Sequence, residues 1–469
     1  MFSFSDIEKK ISELSDFEKA IITHCAQNIK YSGEANQKLC ESAYEIIDDL
    51  VKKETVEKFC VNEDGYQMVL DYLMFQNKFP HQKNPKFTFI DLFAGIGGFR
   101  HAMQQLGGKC VFSSEWDKCA QDTYLENFGE MPFGDITKEI TKSFIPKTFD
   151  VLCAGFPCQA FSKAGKRMGF ADETKGTLFF DVVEILRRST PRYIFLENVR
   201  NLLTHDNGNT INVIKGALDE LGYNIEVVVM SPHQHGIPQF RERVYILGVR
   251  KDVYSDKLNL VLPGKEKKEI DIYKSGIIEK NPSEKYNISE HEEKVLTCWD
   301  EFYKGIKEKV IGFPIWSSEF KENYTLEKLP AWKADFCLKN RKLYHNNKKF
   351  IDEWLEKWNY LKDFTPTEKK FEWQAGESIK SIWDGFIQSR PSGIRVKKPD
   401  YFPALVAIVQ MPIIGKYKRR LTPREAARLQ SFPDEFVPNS NDHQAYKQFG
   451  NAVNVNCIAY LGKQLLAYK

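Results

Sequence analysis

A thiol follows a proline in GFPCQAFSKAGKRMGF, residues 155 to 170, where most other residues are turn formers, hydroxyls or cations. FDVLCAGF, just before it, reads as a buried strand, so Pro157 and Cys158 fall past its C-terminal end, the edge where open α/β sheets bind ligands. Cys153, inside the strand, reads as a small buried hydrophobe. Ser162, Lys163, Gly165, Lys166 and Arg167 suit a mobile loop that contacts phosphate, and their cations favour the thiolate. Cys158 is therefore a candidate nucleophile. FLENV places Glu197 and Asn198 at another strand end. QFRERVYILG spaces Arg241 and Arg243 so that both project to one face, as a cationic wall near a thiolate and a phosphate. The plainer alternative makes Glu197 and the two arginines a structural ion-pair network.

A second constellation suits a nucleoside ligand. DLFAGIGGF, residues 91 to 99, ends a strand and opens a helix, with Gly95, Gly97 and Gly98 letting backbone approach a ligand. Glu115 follows at the end of the next strand, where a ribose hydroxyl pair could be held. The order A-G-x-G-G lacks the third glycine of the dinucleotide fingerprint. It fits adenosine without a pyrophosphate, and so points to S-adenosylmethionine; a glycine-rich turn without a ligand is the alternative. Asp135 in GDIT could accept from an adenine amino group, and Trp116 offers a ring to the base, unless both are ordinary turn or core residues.

The elements that must position these groups are visible in the apolar pattern. FTFIDLF, KCVFSSE, FDVLCAGF, RYIFLENV, NIEVVVM and RVYILGV read as strands, with FRHAMQQL, TLFFDVVEILRR and TINVIKGALDEL as helices between some of them. Continuous apolar strands alternating with helices predict an α/β fold, a mostly parallel sheet with helices on both faces. After residue 250 the texture changes: seven of the eight tryptophans fall in one lysine-rich region without that rhythm. Phe350, Trp354, Trp358 and Leu361 recur at helical spacing, which predicts a helix packed on a core. GNAVNVNCIAYLGKQLLAYK returns to an amphipathic helix. Residues 1–85 read as a helical N-terminal extension, followed by FPHQKNPK as a linker. The expected divisions are 1–85, 86–250 (catalytic, first part), 251–410 (a smaller domain) and 411–469, completing the catalytic domain.

Composition narrows the class. The 469 residues are 42% hydrophobic and 28% charged, with a net charge of +3, as in soluble globular proteins. So weak a basic balance means that a nucleic-acid partner needs a local basic cleft. No apolar run is long enough to span a bilayer, and MFSFSDIEKKISELSDFEKA scatters charge where a signal peptide needs an apolar core, so an intracellular protein is expected. The ten cysteines show neither C-x-x-C nor zinc-like spacing, so no metal site is expected.

In this order the motifs resemble the DNA cytosine carbon-5 methyltransferases: DLFAGIGGF, SEWDK, GDIT, GFPCQAFS, KGTLFF, LENV, QFRER, LTPREAARLQSFPD and QFGNAVNVNC. The resemblance implies a Rossmann-like, S-adenosylmethionine-dependent methyltransferase fold. It implies that Cys158 adds to carbon 6 of a flipped-out cytosine, that Glu197 holds or protonates ring nitrogen 3, and that Arg241, beside Arg243, holds the carbonyl oxygen. Phe93, Gly95, Gly97, Glu115, Trp116, Asp135, Ile136, Pro157, Leu178 and Asn451 would line the methyl-donor site. Ser162, Lys163, Lys166 and Arg167 would approach double-stranded DNA. Residues 251–410 occupy the place of the target-recognition domain, with Arg395, Lys397, Lys398, Arg419 and Arg420 as candidate DNA contacts. Ala404 and Leu405 stand where many members have Thr-Leu. The resemblance further implies a monomeric, cytoplasmic, nucleoid-associated bacterial enzyme, the modification half of a restriction-modification system. The rival readings are a transfer RNA cytosine-5 methyltransferase and a catalytically silent DNA-binding regulator.

Overall fold

The computed structural model describes residues 4–32, 37–52, 67, 69–73, 76–157, 178–264, 266, 270–308, 311–323, 329–405 and 411–468. They fall into two compact units, one of Met1–Ile237, Arg241–Lys267 and Ala427–Lys469, the other of Pro238–Phe240 and Lys268–Ala426.

The first unit opens with helices α1 (Phe4–Glu13), α2 (Asp16–Ser32) and α3 (Gln37–Lys52). Ile7, Ala20, Ile21, Ile22, Leu39 and Ile47 bury their side chains in the same core as Ile90, Phe112 and Leu152 of the sheet. The N-terminal helices thus share the hydrophobic core of the sheet. FPHQKNPK departs from the linker expected. It has no regular structure, yet the Phe79 ring packs edge-on against His101 at 5.0 Å, and the Gln104 amide donates to the Phe79 carbonyl at 2.7 Å. Prolines stop helix and strand there without freeing the chain.

Six strands follow: β1 (Phe87–Leu92), β2 (Gly108–Ser114), β3 (Val151–Ala154), β4 (Tyr193–Val199), β5 (Tyr223–Met230) and β6 (Arg243–Arg250). Between them lie α4 (Gly98–Gln105), α5 (Lys118–Phe128), α6 (Leu178–Ser189) and α7 (Asn209–Glu220). The sheet order is β2-β1-β3-β4-β6-β5. β1 pairs in parallel with β2 and β3, and β3 with β4, whereas β6 runs antiparallel to both β4 and β5. Each apolar run named from the sequence forms one of these strands, and the mostly parallel sheet is as expected.

In the second unit α8 (Glu290–Gly305), α9 (Ala331–Asn346) and α10 (Lys348–Lys357) pack with a sheet built from β7 (Ile315–Trp316), β8 (Lys370–Gln374), β9 (Phe386–Arg390), β10 (Gly393–Lys397), β11 (Ile413–Ile414) and β12 (Arg419–Arg420). Its order is β12-β11-β9-β10-β8-β7. Trp299 stacks on Phe371 with ring centroids 5.0 Å apart, and Trp354 and Leu361 share that core. The aromatic stripe is therefore a packing face, although α10 stops at Lys357 and Tyr360 and Leu361 turn with positive φ.

The chain then returns to the first unit as α11 (Asp442–Asn451) and α12 (Val455–Leu465). Gly462 of α12 lies against Leu106, Met103 and Phe195. The Tyr193 hydroxyl donates to the Tyr468 carbonyl at 2.5 Å, fixing the C-terminal end beside β4. Among the described residues no helix is long and apolar enough to cross a membrane.

Candidate active site

The turn after β1 needs backbone shapes that most side chains resist. Phe93, Gly95 and Gly97 all have positive φ. A Cβ on Gly97 would fall 2.2 Å from the Phe128 ring, and one on Gly98 would fall 2.7 Å from Cγ2 of Val453. Glycine at these two places lets α5 and the C-terminal segment close on the turn. At Gly95 a Cβ would meet nothing within 4 Å, so the turn faces open space there.

Glu115 borders that space. One carboxylate oxygen accepts the Gly95 N–H at 2.8 Å, while the other accepts from Trp116 at 2.9 Å and Asp117 at 2.8 Å. Three of the roughly four lone-pair positions of a carboxylate are then used, which leaves room for a hydroxyl donor. Burial pushes the carboxyl above its usual range, and the backbone N–H groups pull against that shift. The Trp116 side chain is 80% exposed and offers a free ring face. The Glu115 N–H donates to the Phe133 carbonyl at 2.8 Å, which brings the segment carrying Asp135 and Ile136 to the end of β2. Asp135 accepts from the backbone and hydroxyl of Thr137 at 2.9 and 2.8 Å, and Ile136 is buried. Phe93 and Leu178 are half-buried, and Pro157 and Asn451 are exposed. Open space at Gly95, a buried acid beside it and an exposed indole fit S-adenosylmethionine.

The second cluster sits at the ends of β3, β4 and β6. Glu197 and Gly155 are neighbours: a Cβ on Gly155 would lie 3.7 Å from the Glu197 carboxylate, 3.7 Å from Val453 and 3.9 Å from Phe99. The turn residues, Glu197 and the C-terminal segment thus meet at one edge. Arg243 Nε lies 3.2 Å from Glu197. Burial raises the Glu197 carboxyl above the usual range, against the opposing pull of Arg243 and Arg241. The Asn198 amide donates to the Phe156 carbonyl at 2.9 Å, fixing the backbone just ahead of Cys158. Asn198 stood out in the sequence as a polar residue in an apolar run, but its carbonyl partner carries no sequence signal.

Arg241, expected from the resemblance to hold the base carbonyl, is buried and bonded to backbone. It is 3% exposed, and its Nη2 donates to the carbonyls of Gly450 and Ala452 at 2.7 and 3.1 Å. Burial and the neighbouring Arg243 charge push its pKa down to about 9, so it stays cationic at neutral pH. It clamps the segment that carries Asn451, which leaves Arg243 as the arginine directly on Glu197. Asp91 was passed over in the sequence: it is fully buried within β1 and accepts the Arg100 N–H at 3.3 Å.

Cys158, Ser162, Lys163, Lys166 and Arg167 lie outside the described residues. In the second unit Arg395 and Lys397 point to the side of β10 opposite Ile394 and Val396, and Lys398 is exposed. Arg395 is paired with Glu372 at 2.7 Å, and Arg420 with Glu292. Arg419 belongs to the interior: it is 4% exposed and doubly bonded to Glu425, at 2.6 and 3.0 Å. Among the described residues no cluster of His, Cys, Asp and Glu could hold a metal ion.

Residues 87–467 match the family model described as C-5 cytosine-specific DNA methylase. Type II methyltransferase M.HpaII of Haemophilus parainfluenzae is 40% identical over 403 residues, covering 84% of this chain and 93% of that protein. Type II methyltransferase M.BanI of Aneurinibacillus aneurinilyticus is 36% identical over 428 residues, 80% of this chain and 94% of its own length. Type II methyltransferase M.HhaI of Haemophilus parahaemolyticus is 34% identical over 373 residues, 80% and 92%.

Proposed function

Because the chain belongs to the C-5 cytosine-specific DNA methylase family, we infer that it methylates carbon 5 of a cytosine within a short duplex DNA site, as the modification enzyme of a restriction-modification pair. The observation that carries this reading is the meeting of Glu197, Arg243 and Gly155 with the glycine turn and the C-terminal segment at one sheet edge.

Cytosine carbon 5 is too weak a nucleophile to take a methyl group unaided. Cys158 supplies electrons by adding its thiolate to carbon 6 of the flipped base, while ring nitrogen 3 takes a proton from the Glu197 carboxyl. Charge therefore does not build up on the ring. Arg243, which keeps a partly exposed edge beside Glu197, holds the base carbonyl in place of Arg241. S-adenosylmethionine, when bound by Gly95, Glu115 and Trp116, supplies the electrophilic methyl group for carbon 5. With S-adenosylhomocysteine as the leaving group, the carbon 5 proton passes to water, the Cys158 thiolate is expelled, and the nitrogen 3 proton returns to Glu197, which restores the aromatic ring and the enzyme. Arg395, Lys397 and Lys398 stand as the DNA contacts of the second unit, and the enzyme acts as a cytoplasmic monomer.

Bisulfite sequencing of plasmid DNA from cells expressing the chain tests this. Protected cytosines within one short shared motif, absent with Cys158→Ala, are expected. A preparation that methylates RNA and leaves every DNA cytosine unprotected would overturn the DNA reading.

A further inference from the structure

Helix α2 lies outside the motif series, yet it buries polar side chains against the proposed donor site. Thr23, His24 and Gln27 are 2%, 0% and 2% exposed. The Gln27 amide donates to the Phe128 carbonyl at 2.7 Å, and the Thr23 hydroxyl accepts the Met131 N–H at 3.1 Å. His24 Nδ1 lies 2.9 Å from the Ala20 carbonyl, an acceptor, which puts the ring proton on Nδ1. Its Nε2 then accepts the Ser113 N–H at 3.1 Å.

Two strips of backbone are held this way, and both lead to the donor site. Ser113 is the next-to-last residue of β2, two residues before Glu115. Met131 lies four residues before Asp135, and the strips are joined where the Phe133 N–H donates to the Ser113 carbonyl at 2.9 Å. Behind them Glu130 accepts from the Ser113 hydroxyl at 2.8 Å and from Arg100 at 2.6 Å. Arg100 Nη2 donates back to Gln27 at 3.1 Å, which closes the network on α2. The Arg100 N–H also bonds to Asp91, at the start of the glycine turn. α2 buries Ala20, Ile21 and Ile22 as a bracing helix would, and the polar bonds come in addition. Directional bonds to particular backbone amides fix height and register.

We propose that α2 is a positioning element of the methyl-donor site: Thr23, His24 and Gln27 set the placement of residues 113–116 and 131–136, and through them donor affinity. This rests on the donor site proposed above. The three side chains act through Glu115 and Asp135, since they are buried away from any ligand.

The full-length chain is compared with Thr23→Val, which keeps the shape and loses the acceptor, with Thr23→Ser, which restores it, and with Gln27→Met. Binding of S-adenosylmethionine and S-adenosylhomocysteine is measured by calorimetry, and steady-state KM and kcat are measured on methylated DNA product. In Thr23→Val the donor KM and Kd rise about tenfold while kcat at saturating donor stays within about twofold, and Thr23→Ser returns both to near wild type. Gln27→Met shifts them in the same direction and keeps the test open if the valine variant is recovered unfolded. Normal donor affinity in either folded variant, or a fall in kcat with KM unchanged, overturns the proposal. A wild-type chain that binds neither compound refutes the function itself, whereas wild-type binding with undisturbed variants refutes only the positioning.

Discussion

At the scale of the residue, the mechanism proposed above turns on one buried acid. Glu197 is 8% exposed, and burial lifts its carboxyl above the usual range even with Arg243 3.2 Å away. An acid raised in this way keeps its proton to higher pH than a free glutamate, which suits a group that must share a proton with ring nitrogen 3. The protonated form is lost as pH rises through that raised pKa. The rate should therefore show a basic limb that belongs to this residue. Glu197→Gln keeps the size and an amide donor but has no proton to give. We expect kcat to fall by about 100-fold and the limb to vanish from the pH profile, with melting temperature little changed. Steady-state rates from pH 5 to 9 check this; an unaltered kcat would remove Glu197 from the proton transfer. Arg241, by contrast, serves by clamping the Gly450 and Ala452 carbonyls, and its replacement should act through donor and base placement alike.

At the scale of the element, LTPREAARL shows a motif doing structural work. Thr422 and Glu425 form a capping box: the Thr422 N–H donates to the Glu425 carboxylate at 2.8 Å, and the Glu425 N–H to the Thr422 hydroxyl at 3.1 Å, with Pro423 opening the helix. The same carboxylate accepts the Glu279 N–H at 2.9 Å and both arms of Arg419. Arg419→Ala leaves a carboxylate in the interior without its cation, so stability should fall by about 3 kcal/mol. Urea unfolding measures that loss, and an unchanged midpoint would return Arg419 to the list of surface cations. The capping box escapes the sequence reading although T-x-x-E with proline at the second place is a local pattern, because LTPREAARL stands there only as a family motif. The six strands of the first sheet were legible, because apolar runs such as YIFLENV record burial on both faces. The rest of what stayed hidden depends on distant backbone. The partners of Arg241 are carbonyls some 210 positions on, and a carbonyl has no signature in the sequence. Arg419 looked like one more cation in KYKRR because its acid lies beyond a turn, and FPHQKNPK looked like a linker because His81 is buried and Phe79 packs on His101 without any periodicity.

At the scale of the whole molecule, the N-terminal extension and the catalytic sheet share one core, and several histidines are trapped within it. His81 and His101 are 5% and 7% exposed. Burial, with the Lys109 and Arg100 charges added, pushes His81 down to about 3, and burial pushes His101 down to about 4 against the pull of Glu435. Burial lowers His24 and His235 as well. In the unfolded chain these rings titrate near 6.5, so below that pH the unfolded state takes up protons that the folded state refuses. Stability is then full above about pH 7 and is lost as pH falls from 6.5 toward 4 for His101 and toward 3 for His81. Each ring contributes about 1.4 kcal/mol per pH unit inside its window, so His81 and His101 together remove about 3 kcal/mol between pH 7.5 and 5.5. Glu130 works in a lower range, because Arg100 holds its carboxyl below the usual value, whereas the raised carboxyls of Asp91, Glu115 and Glu197 act with the opposite sign, so the histidine share is read from wild type against a histidine variant. Urea midpoints at pH 7.5 and 5.5 should differ accordingly for the wild-type chain. The His81→Gln/His101→Gln double variant should show a smaller difference, with the remainder from His24 and His235. A pH difference in the double variant equal to that of the wild type would mean that these two rings reach solvent and that the extension is not sealed onto the sheet.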